Sequence, residues 1–519
     1  MPKYDFDVII IGGGVAASVA AYNLSKSNLK IACFEQGNYE KNSSNYKKKK
    51  LSFFDYKKMN INPNLRKLKS DYLIDDSDSD ISIANFNALG GSSVLYSAHL
   101  PRFLPKDFKQ KISKKVFWPI NYYDLKKYYD LNEKILGVAG LTGDKTYPDK
   151  IENLMPPVKL GAAIFKITKA FDKLNWHWWP SYSGVVTSKN DKRGLGTITE
   201  PNNSYWPMAI KNKVKIFLKS KVIKILCNKK NKATGIKYLN SKKQIKKKTA
   251  KVIILACGGL GTPRILLNSK SNNFPNGLAN SSGMVGKNLM LHPLGWVEGK
   301  FSKFLKSYDG PQGCSITSSQ FLTQKNKNFE KGYLIQILRE PHPVEQAVIK
   351  NKLRKLNFGK KFFDNFFNFY GKTVSAAIIC EDLPETKNRL ILERIKKNQD
   401  EIPNIKIKYK LSDNSKKMIL HGIKNSIKLM KLAGAKEINS FGPVKHTGWH
   451  IMGTARMGAS KKNSVVNKNG RCHDINNLFI VDSSIFTSSS GVNPVSTICA
   501  LSFKISDHIK ENFYEKFNK

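Results

Sequence analysis

The spacing of apolar residues changes along the chain, and it is most regular in residues 7–21, DVIIIGGGVAASVAA. Four consecutive β-formers, residues 8–11, run into Gly12-Gly13-Gly14 and then into small residues that keep an apolar side inward. This predicts a buried strand, a tight turn and a helix. A second apolar run, residues 31–34, predicts a neighbouring strand. From about 38 to 80 the pattern dissolves into Asn, Ser, Lys and Asp, which reads as long surface connections with little regular structure until Ile81. Residues 213–257 alternate as strands (VKIFLKSKVIKILCN, ATGIKYLN, AKVIILAC). A Gly-Gly turn follows, then a helix opening near Thr262-Pro263, with Pro263 at an early position where its missing N–H costs nothing. Short alternating runs (YLIQIL, VSAAIIC, RLILE, IKIKY) fill the region from about 300 to 440. Residues 478–481 form a further buried strand ending in Asp482, and a Gly-Val-Asn-Pro turn opens a closing helix at Ser496-Thr497.

Read as G-x-G-x-x-A, the first turn carries chemistry as well as shape. Gly12 makes the turn, Gly14 lets the backbone approach a pyrophosphate, and Ala17 lets the helix sit close against the sheet. The free N–H groups of the first helical turn, at Val15 and Ala16, suit phosphate. Glu35 stands 23 residues after Gly12, placed for the ribose hydroxyls of an adenine dinucleotide and repelling a 2′-phosphate. A glycine fingerprint alone is weak. Here the strand before it, the helix after it and the acid at the right distance agree, although they do not separate FAD from NAD.

At 519 residues the chain exceeds what one core supports, which predicts two domains or one large core with a substantial insertion. Its net charge of +49 raises nucleic acid, an anionic membrane or acidic ligands as partners. The excess is almost entirely Lys, scattered among Asn and Ile in runs such as 47–50 and 246–248 that read as solvated loops. No cluster of Arg with aromatics is present, so specific nucleic-acid binding is not expected. Seven cysteines stand singly with no C-x-x-C pair, which argues against a disulfide framework or a metal site and for a reducing compartment. The first strand begins near residue 7, so no signal peptide is expected, and no apolar run reaches the roughly 18 residues of a membrane span. The expected location is the cytoplasm, with peripheral contact at a membrane allowed.

The turn Leu89-Gly90-Gly91-Ser92-Ser93 offers close backbone approach and hydroxyls, as the second wall of a cofactor site requires. Followed by Arg102 and Asp107-Phe108, it resembles the second signature of the glucose-methanol-choline (GMC) flavoprotein oxidoreductases. Residues 118–129, W-P-I-x-Y-x-D-L-x-x-Y-Y, resemble the gluconate-dehydrogenase-like branch in particular. The resemblance implies FAD. Leu95 stands where some members carry a tethering His, which implies FAD held without a covalent link; Tyr96 stands where members often have Asn or Trp. G-x-x-x-T-P-R-x-L-L, ending beyond Arg264, resembles the family's adenosine side, and residues 281–293 continue the likeness, with His292 read as a capping or packing residue. The region from 300 to 440 resembles the family's substrate domain, an antiparallel sheet over the flavin. Glu381 and Asp382, adjacent on a strand, would point to opposite faces and so do not form a carboxylate pair. Trp176, His177, Trp178 and Trp179 form an aromatic patch that could stack on sugar rings, though core packing is the commoner use.

Residues 449–458 read WHIMGTARMG. Alone, His450 would more often be structural than a base. It lies, however, in H-x-x-G-T-x-x-M-G, with a second polar turn 43 residues on, the arrangement by which the family supplies its His and a partner His or Asn. Carried over, His450 matches the active-site base and Asn493, beside Pro494, its partner; His446 fits less well. Moving hydride from a carbinol carbon to flavin N5 requires the hydroxyl proton to leave, a task for a neutral imidazole. Asn493 would hold the substrate oxygen, and the closing helix N-terminus would favour the anionic reduced flavin. Asp482 resembles the family's Asp near the cofactor; equally it reads as a strand-end turn residue.

The expected fold is α/β (α+β overall), a Rossmann-like FAD-binding domain assembled from residues 1–150, 211–299 and 441–519. Residues 151–210 form an insertion or lid, and 300–440 a substrate domain on an antiparallel sheet. The expected function is FAD-dependent oxidation of a CH–OH group on an alcohol, sugar, polyol or sugar acid, with oxygen, a quinone or a cytochrome as acceptor. Two rivals stand beside it. One is a flavin-binding lyase of the same fold without net redox, against which His450 and Asn493 speak. The other is a basic polyanion-binding protein, which would contain little flavin.

Overall fold

Val8, Ile9 and Ile10 are wholly shielded from solvent because the strand Phe6–Ile11 lies in the middle of a seven-stranded sheet covered on both faces. The computed structural model describes residues 4–39, 60–68, 71–109, 111–113, 116–186, 196–311, 313–324, 326–341, 343, 346–347, 359–397 and 402–517. Phe6–Ile11 pairs in parallel with Ile31–Phe34 on one side and with Ile245–Leu255 on the other. Lys215–Phe217 extends the sheet in parallel beyond Ile31–Phe34, and Leu478–Ile480 joins Ile245–Leu255 in parallel, so the N-terminal, central and C-terminal parts of the chain meet here. Lys221–Cys227 and Ala233–Leu239 complete it as an antiparallel edge. The helices Val15–Leu24 and Val495–Asn512 pack together against it. Small side chains allow the close approach: Ala16, Ala17, Ala20 and Ala21 are buried, and the Ser502 hydroxyl donates to the Ala16 carbonyl at 2.7 Å.

The second sheet has six strands in the order Glu437–Phe441, Leu294–Lys300, Thr373–Cys380, Tyr333–Leu338, Cys314–Ser318 and Trp179–Pro180, all antiparallel. The two-residue period divides its faces. Val297, Ala376, Ile378, Ile335 and Ile337 face the helices Asp413–Leu432 and Gly161–Lys173 in one apolar core. Leu294, Trp296, Gln336, Leu338, Ala377 and Ile379 face the other way, into a cavity. Of the four short runs noted above, RLILE and IKIKY lie outside this sheet: Arg389–Lys397 and Pro403–Tyr409 pair with each other and then with Ile74–Ser79.

That third sheet corrects one expectation. The polar IDDSDS segment is a strand, not an irregular connection, because Ile74 is buried while Asp75 and Asp78 reach Lys406 of the neighbouring strand at 3.6 and 3.2 Å. Residues 40–59, with the 47–50 lysine run, lie outside the described residues. Pro263 is a second correction. The helix spans Gly258–Asn268, so Pro263 sits inside it rather than in its first turn. The carbonyl that a residue-263 N–H would serve, that of Gly259, accepts instead from the Thr454 hydroxyl at 2.8 Å. A helix–proline defect is thereby closed by a residue of the H-x-x-G-T segment, tying the two together.

Thr454→Val is expected to destabilise the fold by about 1–3 kcal/mol, the cost of leaving a buried carbonyl unserved. Adding Pro263→Ala, which restores an N–H donor, should recover part of this in a denaturation midpoint. Equal midpoints for all three proteins would show that the Thr454 bond carries no stability.

Candidate active site

A cavity of about 1540 Å³ lies between the two sheets and runs from the first glycine turn to His450. At its nucleotide end Gly12 takes φ +96°, and a Cβ there would stand 2.6 Å from the Ala256 carbonyl oxygen, so the turn admits only glycine. Gly14 and Gly258 border the cavity with no atom within 4 Å of where a Cβ would stand, which leaves their backbones open to a ligand. The helix Val15–Leu24 starts with no side-chain cap and no acid in its first turn. Its leading N–H groups therefore keep their donor capacity and the positive dipole end for an anion.

The second glycine turn closes against the first. The Gly90 N–H donates to the Gly13 carbonyl at 2.8 Å, and the indole N–H of buried Trp206 reaches the same oxygen at 3.1 Å. Ser92 and Ser93 border the cavity, but their hydroxyls also work locally: Ser93 donates to the Gly90 carbonyl at 2.5 Å, and Ser92 accepts from the Phe86 N–H at 3.0 Å. Glu35 is 5% exposed and borders the cavity, its two oxygens accepting from the Gly13 and Gly37 N–H groups at 2.6 and 2.7 Å. Burial outweighs those bonds and pushes its pKa up to about 7. Asp482 accepts from the Gly258 N–H at 2.9 Å and the Thr262 hydroxyl at 2.6 Å, so it both caps that helix and borders the cavity; burial raises its pKa as well.

At the other end, a two-residue antiparallel ladder pairs Met290 with Met452 and Leu291 with Ile451. The next residues on each side, His292 and His450, therefore fall opposite one another, with their Nδ1 atoms 2.9 Å apart. His292 Nε2 faces the Ser490 and Ser489 carbonyl oxygens at 2.8 and 3.2 Å. His450 keeps part of its surface open to the cavity, and its Nε2 lies 3.4 Å from Asn493 Nδ2. Burial, then the neighbouring His292, hold the His450 pKa well below its ordinary value. Asn493 Oδ1 in turn accepts from Gln336 Nε2 at 2.6 Å. Pro494 and Val495 border the cavity at the start of the closing helix, which has no side-chain cap and no acid in its first turn.

Thus Gly12, Gly14, Val15, Ala16, Glu35, Gly90, Gly91, Ser92, Ser93, Asp482, Asn493, Pro494 and His450 all border one cavity. Ala17 does not; it is buried between helix and sheet. Trp176, His177, Trp178 and Trp179 do not border it either, and the Trp178 and Trp179 indole N–H groups are taken by Asp172 and the Leu141 carbonyl. Asp382 accepts from the Leu291 N–H and the Tyr409 hydroxyl, and Glu381 lies 3.7 Å from Lys106, so neither faces the other as an acid–base partner. Arg102 is engaged with Glu133 and Asp130. Gln336 escaped the sequence reading. Its one signal was a lone amide in the apolar run YLIQIL.

An elongated cavity with two anion-favouring helix ends and an imidazole–amide pair at one of them defines a dinucleotide-dependent oxidoreductase. The chain belongs to the GMC oxidoreductase family: two models of that family match it, over residues 6–294 and 384–502. It is 31% identical to the 2-methyl-1,2-propanediol dehydrogenase of Mycolicibacterium austroafricanum, covering 98% of this chain and 95% of the relative. It is 26% identical to the fructose dehydrogenase large subunit of Gluconobacter japonicus, covering 97% of each. A solved structure of pyridoxine 4-oxidase from Mesorbium loti shares the fold at a TM-score of 0.67 and 14% identity, covering 97% of this chain and 98% of that one. A formate oxidase variant from Aspergillus oryzae RIB40 does so at 0.67 and 15%, covering 99% of each. FAD is the cofactor of this family and of this chain, and the open backbones at Gly14 and Gly258 with the uncapped helix Val15–Leu24 fit its pyrophosphate. Among the described residues no cluster of metal ligands occurs, and no helix is long and apolar enough to cross a membrane.

Glu35 supplies a pH test. Its pKa rises from 4.5 to about 7 on folding, so its contribution to stability is complete below pH 4.5 and is lost as pH rises through 7. In flavin-free protein, Glu35→Gln should remove a pH-dependent component on the order of 3 kcal/mol across that window. Parallel stability–pH curves for the two proteins would contradict the assignment.

Proposed function

We propose that this chain oxidises the CH–OH group of a small alcohol or polyol, with His450 as the base, Asn493 as the group that holds the substrate oxygen, and the remaining cavity-lining residues above as the FAD site. The observation that carries the reading is the open Nε2 of His450, 3.4 Å from the Asn493 amide nitrogen, at the end of a dinucleotide-sized cavity. Bound FAD supplies the two-electron acceptor for the hydride that leaves the carbinol carbon. A hydroxyl seated between the imidazole and the amide gives its proton to His450 Nε2, while the Asn493 N–H supports the charge growing on oxygen. The N-terminus of Val495–Asn512 favours negative charge at the same place. The substrate wall is mostly aliphatic and aromatic: Leu294, Trp296, Leu338, Ala377, Ile379 and Val444. That lining supports an alcohol with a compact apolar body, and the diol named for the Mycolicibacterium relative supports the same class. Glu298 and Asn439 supply the polar minority needed for a second hydroxyl. Leu95 at the place of a tethering His supports FAD held without a covalent bond. All seven cysteines are free, which supports a reducing compartment.

Anaerobic titration of the purified protein with short alcohols, diols and sugars tests the reading. Wild-type flavin should bleach with a diol or alcohol of this class. His450→Ala should keep its flavin and lose about 10²- to 10⁴-fold in rate. Wild-type rates in that variant would remove His450 from the role. Acid precipitation should leave a colourless pellet and yellow supernatant, whereas flavin in the pellet would show a tether.

Because the His450 pKa is depressed, the base stays neutral throughout the ordinary histidine range. The acid limb of kcat/KM for the free enzyme should therefore fall below pH 6.5, the ordinary value. A limb centred at or above 6.5 would mean that a different group accepts the proton.

A further inference from the structure

The hydrogen-bond partners of His292 leave the catalytic pair only one arrangement of protons. His292 is 2% exposed, and its Nε2 faces two backbone carbonyl oxygens, which can only accept. Nε2 therefore carries the proton, and in the neutral ring Nδ1 is bare. His450 Nδ1, 2.9 Å away, must then be the donor, which leaves His450 Nε2 with its lone pair toward the cavity. Facing a lone pair, Asn493 presents its NH2 group and turns its oxygen to Gln336, which donates at 2.6 Å. Donors and acceptors thus run in one direction from Gln336 through Asn493, His450 and His292 to the Ser490 carbonyl.

We propose that His292 and Gln336 are positioning residues that fix the tautomer of His450 and the amide orientation of Asn493, so that the resting enzyme offers a base lone pair and an N–H donor to the same substrate hydroxyl. The proposal rests on the roles given to His450 and Asn493 above. The alternative tautomer would set two bare Nδ1 atoms against each other and an Nε2–H against the Asn493 N–H. When His450 gains the substrate proton at Nε2, its Nδ1–H still has His292 as acceptor, so no second proton needs to move. Burial pushes the His292 pKa down to about 4, which keeps it the neutral acceptor that this requires. The two ends of the chain come from different places. His292 stands at the Met290–Leu291 ladder and Gln336 on the strand Tyr333–Leu338 of the six-stranded sheet, so the substrate-side sheet itself sets the amide.

The FAD-loaded wild-type protein, labelled with 15N in its histidine rings, provides the direct test. Two-bond 15N–1H correlations, with His450 assigned by its loss in His450→Ala, should show His450 protonated at Nδ1 and His292 at Nε2. The opposite tautomer at either ring overturns the proposal, whatever the variants do. In kinetics, His292→Leu and Gln336→Leu should each lower kcat about 10- to 100-fold, with KM changed by less than about threefold and flavin content intact. His292→Gln, whose amide oxygen can accept from His450 Nδ1–H, should recover most of the loss. Unchanged kcat in both Leu variants, or equal loss in His292→Gln and His292→Leu, counts against it. Wild-type rates in His450→Ala together with the expected tautomers would instead sink the functional reading and leave the proton pattern standing.

Discussion

The 2.8 Å hydrogen bond from the Gly90 N–H to the Gly13 carbonyl is the contact on which the cofactor end depends. It joins two turns 77 residues apart in sequence into one wall. The joint works because neither turn has side chains to keep them apart: a Cβ on Gly91 would stand 3.0 Å from the Gly14 Cα. Trp206 donates to the same Gly13 oxygen, so the third segment of the wall is registered on that one carbonyl. Glu35 is fixed by the same stretch of backbone through the Gly13 N–H. One residue, Gly13, thus sets the acid, both glycine turns and the helix that carries Trp206 in relation to one another.

The histidine end of the cavity uses the same economy with strands instead of turns. Two residue pairs, Met290 with Met452 and Leu291 with Ile451, suffice to bring His292 and His450 together across 158 residues of sequence. The Ser489–Ser490 carbonyls that receive His292 belong to a loop held from below: Ser489 accepts from the Asp382 N–H, and the Ser490 hydroxyl donates to buried Asp107 at 2.6 Å. Ser490 sits at φ +57°, in the left-handed region, and that conformation helps turn its carbonyl toward the ring. The D-F pair of the second signature therefore supports the histidines without touching the cavity.

What could be read from the sequence was what local periodicity and composition encode. The strand–glycine–helix unit declares itself because its apolar run, turn and small-residue helix are contiguous, and His450 declares itself through the motif around it. Ile74–Ser79 stayed hidden because its partner strand lies more than 300 residues away, and its central pairs, Asp75 with Lys406 and Asp78 with Lys408, are charged and leave no apolar alternation. Pro263 misled for a similar reason: the donor that lets it lie inside a helix is Thr454, remote in sequence. His292 and Gln336 were invisible as positioning residues because hydrogen-bond direction is a property of the folded neighbourhood, in particular of which backbone carbonyls point where.

A histidine base needs an orienting partner, and the chemical nature of that partner decides when the base is usable. A carboxylate beside Nδ1 would hold the ring in the same tautomer, but its charge would stabilise the imidazolium and raise the pKa toward or above neutrality. In this chain the partner is a second imidazole, itself neutral because burial disfavours its charged form. Orientation is obtained without an adjacent negative charge, so the lone pair of His450 is present across the physiological range. For the proposed role of His450 the corresponding loss is basicity: a weaker base would take the hydroxyl proton less readily before hydride departs. In the mechanism proposed above, Asn493 and the N-terminus of Val495–Asn512 would offset that loss from the other side, by stabilising the charge that gathers on the substrate oxygen. The neutral histidine partner and the electropositive helix end are therefore two parts of one electrostatic arrangement.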